Sequence, residues 1–305
     1  MIAFLLRRLG LALAVAFTVS IFAFALVRLS GDLATTIAGP EATSAQIEQI
    51  RIEYGLDRPL WQQFDDWLWH AARFDFGRSF FFREQVANLI AGRLPVTLTL
   101  GGLALAFALA LALPLGIVAA IRPNSWIDRL ALVLSVAGQA MPTFWFGLVL
   151  MLVFGVRLRW LPVSGTGTWR HFVLPAVALG YYATPAIMRL TRTGMLDVLG
   201  SDYIRTARAK GLRWHTVLLK HALRNAMVPV VALVAVQLGF MLGGSIVIEA
   251  VFAMHGLGYL AWESIQRNDF PVVQAIVLIL AVFYIGLIFL ADLLNAWLDP
   301  RLRTP

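Results

Sequence analysis

The sequence predicts an all-α polytopic membrane protein that crosses a bilayer about six times. Composition, apolar runs and basic residues carry that prediction. Of its 305 residues 60% are hydrophobic and 14% charged, and the mean hydropathy is +0.77. Soluble domains are about 45–50% apolar and about 25% charged, so a water-soluble fold of this length could not hide so much apolar surface.

Uncharged runs place the helices at 9–27, 94–121, 130–156, 172–188, 226–248 and 270–291. A spanning helix needs about 20 apolar residues. Five runs reach that length. The fourth falls short and contains Pro175 and Pro185, which suits a helix kinked or lined partly by protein. Arg7 and Arg8 precede the first run, and Ala23-Phe24-Ala25 has the look of a cleavage site. That run has 19 residues, however, against about 7–15 for a signal-peptide core, so an uncleaved helix is expected.

Basic residues orient the spans. Eight of the 25 lie in 189–225: Arg189, Arg192, Arg205, Arg208, Lys210, Arg213, Lys220 and Arg224. Arg7, Arg8, Arg122, Arg129, Arg301 and Arg303 fall on the same side. The 30–93 loop has six basic residues against nine acidic. The positive-inside bias puts 189–225 and both termini in the cytosol. Arg157, Arg159 and Arg170 run against it in one short outer loop. The net charge of +8 thus reads as membrane topology, with no nucleic-acid partner. Trp126, Trp160, Trp169, Trp262 and Trp297 lie near span ends, as interfacial anchors do. With no repeat, low-complexity stretch or soluble domain, residues 1–305 form a single transmembrane domain in contact with the lipid bilayer.

Two long loops interrupt it. In the external loop 30–93, Thr43-Ser44 can cap a helix ending at Tyr54, with Ile47, Ile50 and Tyr54 on one face. Trp61, Phe64, Trp67 and Trp69 form an aromatic cluster. A packed lid and a docking surface for an external partner are both open readings. In the cytosolic loop 189–225, Ser201 or Asp202 can cap a short helix over 203–210, and Gly211 can end it. A second helical stretch runs over 214–227. Ala207 and Ala209 keep the short helix slim enough for close approach to another protein.

Gly239, Gly243 and Gly244 lie in the fifth span and can permit tight helix packing. Glu249 follows near its outer end, as a gate residue or as a structural partner. No Gly-x-x-x-x-Gly-Lys-Ser/Thr phosphate loop occurs, no metal-ligand cluster lies in a span, and there is no cysteine. A membrane enzyme would need acids, bases or a metal at depth. A secondary transporter would show repeats and interrupted helices.

The segment Asp202-Tyr203-Ile204-Arg205-Thr206-Ala207-Arg208-Ala209-Lys210-Gly211-Leu212, followed by His221-Ala222-Leu223-Arg224-Asn225-Ala226 and Pro229, resembles the cytosolic loop of dipeptide/oligopeptide ABC importer permeases. The likeness runs through Gly31-Asp32, Tyr54-Gly55-Leu56-Asp57-Arg58-Pro59-Leu60, Arg93-Leu94-Pro95, Trp160-Leu161-Pro162-Val163-Ser164-Gly165, Gly256-Leu257-Gly258 and Asp292-Leu293-Leu294 … Asp299-Pro300-Arg301. Arg205-Thr206-Ala207 replaces the Glu-Ala-Ala of the broader importer motif, Pro229 lies further from Gly211, and His255-Gly256 stands where Pro-Gly is common.

The resemblance implies a type I importer fold in a bacterial-type inner membrane, non-catalytic and binding no cofactor itself. It implies a second homologous permease in a heterodimer, two ATPase subunits carrying ATP and Mg, and an external substrate-binding protein. The ATPase-coupling role falls on Asp202, Tyr203, Arg205, Thr206, Ala207, Arg208, Ala209, Lys210 and Gly211. Gly243, Gly244 and Glu249 are the candidates beside the translocation path. Relatives of this kind carry dipeptides, oligopeptides, glutathione, nickel complexes or sugars, a choice set largely by the binding protein.

Overall fold

The computed structural model describes residues 2–29, 31–39 and 41–298. Arg301, Arg303, the terminal Asp299-Pro300-Arg301 stretch and the extreme termini lie outside the described residues. Among the described residues, five continuous helical elements are long and apolar enough to cross a membrane. They are α1 (Ile2–Leu29), α5 (Val86–Ile121), α8 (Arg170–Leu199), the continuous element Trp214–Val251, and α13 (Phe270–Leu298). The fourth of these joins α10 (Trp214–Thr216), a π-helical stretch (Val217–Leu223) and α11 (Arg224–Val251).

The third uncharged run is not one straight span. It forms α6 (Trp126–Ala140) and then α7 (Thr143–Leu150), extended by a π-helical stretch (Met151–Arg157), and the two arms meet at 101°. Pro142 supplies no backbone N–H and holds Met141 extended (φ −92°, ψ 130°). The Met141 carbonyl accepts the Tyr181 hydroxyl at 2.5 Å, so the break is satisfied by α8 rather than by lipid. The bent pair still makes one crossing. Asp128 of α6 pairs with Arg192, while Gly147 of α7 faces Ala178, 14 residues earlier on α8 and about 21 Å along its axis.

Helix α8 is the centre of the bundle. Its most apolar window is 67% buried, against 22–33% for the other continuous spans, which explains its weak hydropathy. Protein, not lipid, surrounds it. Ala104, Ala108, Ala112 and Gly116 recur every four residues on α5 and are all buried, a small-residue seam that lets two backbones close. A Cβ at Gly180 would stand 2.3 Å from the Ala104 carbonyl oxygen, and one at Gly116 would stand 2.8 Å from that of Met188.

The basic loop 189–225 is shorter than the charges suggest. Helix α8 continues to Leu199 and the next long apolar element starts at Trp214, leaving only 200–213 as connection. Charge ends the apolar run but not the helix. Arg192 meets Asp128 at 2.6 and 2.7 Å, and Arg189 donates to Ser135 Oγ and Gln139 Oε1.

Within the long loop after α1 lie α2 (Leu33–Ala38), α3 (Ser44–Glu53) and α4 (Leu60–Ala71). Thr43 and Gln46 close the expected capping box on α3, and Asp32 caps α2 while pairing with Arg51 at 2.7 Å. Phe64 and Trp67 of α4 pack on Phe24 of α1, whereas Trp61 and Trp69 are exposed.

Candidate coupling segment and pore face

Helix α9 spans Asp202–Ala209, one residue earlier at each end than the sequence predicts. Ser201 precedes it without a side-chain cap; its hydroxyl donates to the Val198 carbonyl instead. Asp202 in the first turn complements the helix dipole and pairs with Arg205. Gly211 (φ +74°) ends the helix as expected. The Gly211 N–H donates to the Arg208 carbonyl at 2.9 Å and the Leu212 N–H to that of Ala207 at 3.4 Å, the pair of bonds of a Schellman C-cap.

Ile204 and Ala207 are the inward face of α9. They lie buried in a cluster with Ala120, Met195, Val217 and Ala222, contributed by α5, α8 and the start of the next span. Asn225 donates to the Tyr203 hydroxyl at 2.8 Å, and the Arg208 guanidinium lies 4.8 Å from the centre of the Trp214 ring. Ala207 therefore keeps α9 close to its own chain, contrary to the expectation that it faces another protein. Asp202, Tyr203, Arg205, Thr206, Arg208, Ala209, Lys210 and Gly211 are exposed and make a predominantly basic outer surface.

The bend of the third span opens a concavity of about 660 Å³ on one side of the chain, lined by Met141, Pro142, Tyr182, Gln237, Phe240 and Gly244 among others. Phe240, Tyr182 and Val247 remain largely exposed on it. The three glycines of the fifth span divide here. A Cβ at Gly239 would lie 2.0 Å from the Tyr284 ring, so Gly239 serves helix packing; at Gly243 or Gly244 it would meet nothing within 4 Å. Gly243 and Gly244 belong to the open face.

Glu249 does not join them. It is fully buried and accepts hydrogen bonds from Thr97 Oγ1 (2.7 Å), Ser245 Oγ (2.9 Å) and the Tyr259 N–H (2.8 Å). Of its two readings the structure supports the structural partner. Sequence reasoning missed Thr97, the Asp128–Arg192 pair and Asp269. A polar side chain inside an apolar run, or a lone acid beside one, was the available signal. Among the described residues no group of three His, Asp or Glu side chains could hold a metal ion.

Residues 112–304 match the family described as the binding-protein-dependent transport system inner membrane component, and residues 1–101 match its N-terminal counterpart. The chain is 42% identical over 304 residues to the glutathione transport system permease protein GsiC of Escherichia coli strain K12, covering 99% of each chain. The GsiC protein of Shigella dysenteriae serotype 1 matches equally. Among solved structures, inward-facing conformations of the MetNI methionine ABC transporter superpose with a TM-score of 0.56 at 22% identity, over 69% of this chain and 96% of that one.

Proposed function

The chain belongs to the family of binding-protein-dependent transport system inner membrane components, and from that premise we propose its solute, its assembly and its coupling contact. It is a multi-pass inner-membrane pore subunit of an ABC importer, and as such works with an ATPase and an external substrate-binding protein. The proposed solute is a short peptide of the glutathione kind. Full-length identity to a glutathione permease supports this, and it is the observation that carries the substrate reading. Assembly is as a heterodimer with a second, homologous permease across the open face at Gly243, Gly244 and Phe240. A single chain leaves the 660 Å³ concavity open on one side and supplies only half a pore wall.

Helix α9 is the coupling contact, presenting its basic outer surface to an ATPase. ATP and Mg are bound on two ATPase subunits; the absence of a phosphate loop here supports that division, and with it a non-catalytic permease. Co-expression of the chain with its genetic neighbours, followed by native mass determination and glutathione uptake into proteoliposomes, tests this reading. One copy of this chain with one homologous permease and two ATPases is the expected mass. Two copies without a second permease would exclude the heterodimer, and no glutathione uptake by an active complex would exclude the solute.

Both termini and α9 lie in the cytosol under this proposal, with 30–93 outside. The native sequence has no cysteine, so single introduced thiols report cleanly. In intact cells an impermeant maleimide should label Ser44→Cys and spare Lys210→Cys, both exposed positions. The opposite pattern would invert the topology.

A further inference from the structure

Helix α12 (Leu257–Gln266) lies between the fifth and sixth spans, and a buried acid fastens each of its ends. At the first end, Oε1 of Glu249 accepts from Thr97 of α5 and Ser245 of α11, while Oε2 accepts from the Tyr259 N–H. Thr97 Oγ1 in turn accepts the Leu257 N–H at 2.8 Å. Two first-turn donors of α12 that have no intrahelical partner are thus taken by one carboxylate and one hydroxyl. Gly256 and Gly258 allow the approach: a Cβ on Gly256 would lie 2.5 Å from Thr97 Oγ1, and one on Gly258 would lie 2.7 Å from Ile246 Cα.

At the other end, buried Asp269 accepts from the Ser79 hydroxyl and from the Phe80 and Phe81 N–H groups, tying the outer loop to the α12–α13 turn. Val86, Ile90, Leu257, Leu260, Val272 and Ile276 fill the space between. Helix α12 is therefore a plate that joins α5, α11 and α13.

Glu249 and Gly244 are five residues apart, which at 100° per residue places them about 140° apart around α11. The same helix thus carries the open face on one side and the carboxylate on the other. No basic side chain forms an ion pair with Glu249 among the described residues. A buried acid served only by hydroxyls and amides is a costly way to gain stability compared with apolar packing. What its directional bonds supply is a fixed rotation of α11 relative to α5 and α12.

We infer that Glu249, through Thr97 and the first turn of α12, is a positioning residue for transport that sets the rotation of the α11 pore face. The inference rests on the importer reading but not on the solute. The test uses the complete importer in nanodiscs, with cysteine-free partner subunits and spin labels on introduced cysteines at Val247 and Ile265. Glutathione and the cognate binding protein are the probes.

Glu249→Gln should assemble normally, broaden the label-to-label distance distribution, and lower maximal binding-protein-stimulated hydrolysis and uptake about tenfold. The half-saturating binding-protein concentration should not move. Thr97→Val, which keeps the shape and removes the hydroxyl, should do the same, and Thr97→Ser should match wild type. If Glu249→Gln fails to assemble, the Thr97 pair decides alone. Thr97→Val indistinguishable from Thr97→Ser in distance and in maximal rate would overturn the inference. So would an effect confined to assembly yield. Should the wild-type complex fail to import glutathione, only the solute reading fails, because stimulated hydrolysis and the distance distribution still decide.

Discussion

Ala209→Trp is expected to release the ATPase from a chain that still folds, whereas Ala207→Trp should unseat α9 itself. The two alanines lie on one eight-residue helix, about 200° apart around its axis. Ala209 is exposed, and a large ring there adds no internal clash while obstructing anything that docks on the outer surface. Ala207 is 8% exposed and sits among Ala120, Met195, Val217 and Ala222. A Trp there overfills a packed site, a change that typically destabilises by about 1–3 kcal/mol. The measurements are ATPase association with the purified permease and thermal unfolding of the permease alone. For Ala209→Trp, association should weaken about tenfold, equivalent to about 1.4 kcal/mol, with unfolding unchanged. For Ala207→Trp, unfolding should move to lower temperature and uptake should be lost. Wild-type association and uptake in Ala209→Trp would show that the ATPase docks elsewhere.

The contrast between those alanines was partly legible. Ile204 is the apolar residue three positions before Ala207, and i, i+3 spacing puts both on one helix face. That points Ala207 inward and leaves Ala209 out. Helix existence in the spans was legible because charge is excluded from hydrocarbon, and the Gly211 stop because a left-handed cap favours glycine. Helix length was not. Arg189 and Arg192 interrupt the apolar run, yet α8 continues past them because Asp128, Ser135 and Gln139 on α6 receive their guanidinium groups.

The break at Pro142 was hidden for a similar reason. Pro95, Pro114, Pro175, Pro185 and Pro229 all lie inside continuous helices, so proline alone does not mark a bend. What distinguishes Pro142 is a partner 40 positions away in sequence, the Tyr181 hydroxyl on the Met141 carbonyl. Glu249 was ambiguous on the same ground. An acid near a span end is visible in sequence, but its direction depends on Thr97 and on the α12 N-terminus, both brought to it by tertiary packing.

Gly180→Val is expected to cost a large share of the bundle's stability. At Gly180 the new Cβ would lie 2.3 Å from the Ala104 carbonyl oxygen and 3.1 Å from its carbon. Both are backbone atoms, so no rotamer change relieves the clash and α5 must move away from α8. Separation at one point opens the neighbouring contacts of the seam, including Gly116, where the helices are also too close for a side chain. In lipid no hydrophobic force closes such a gap again, since acyl chains are as apolar as the helices. A loss of about 3 kcal/mol or more follows, at the upper end of overpacking effects. Gly102→Val is the control. It lies on α5, and a Cβ there would meet nothing within 4 Å, so only helix propensity changes, a matter of tenths of a kcal/mol. Unfolding in mixed micelles, followed by tryptophan fluorescence, should separate the two variants clearly. Equal stability would mean that the α5–α8 seam tolerates a side chain at its narrowest point, and that the bundle is not organised around α8.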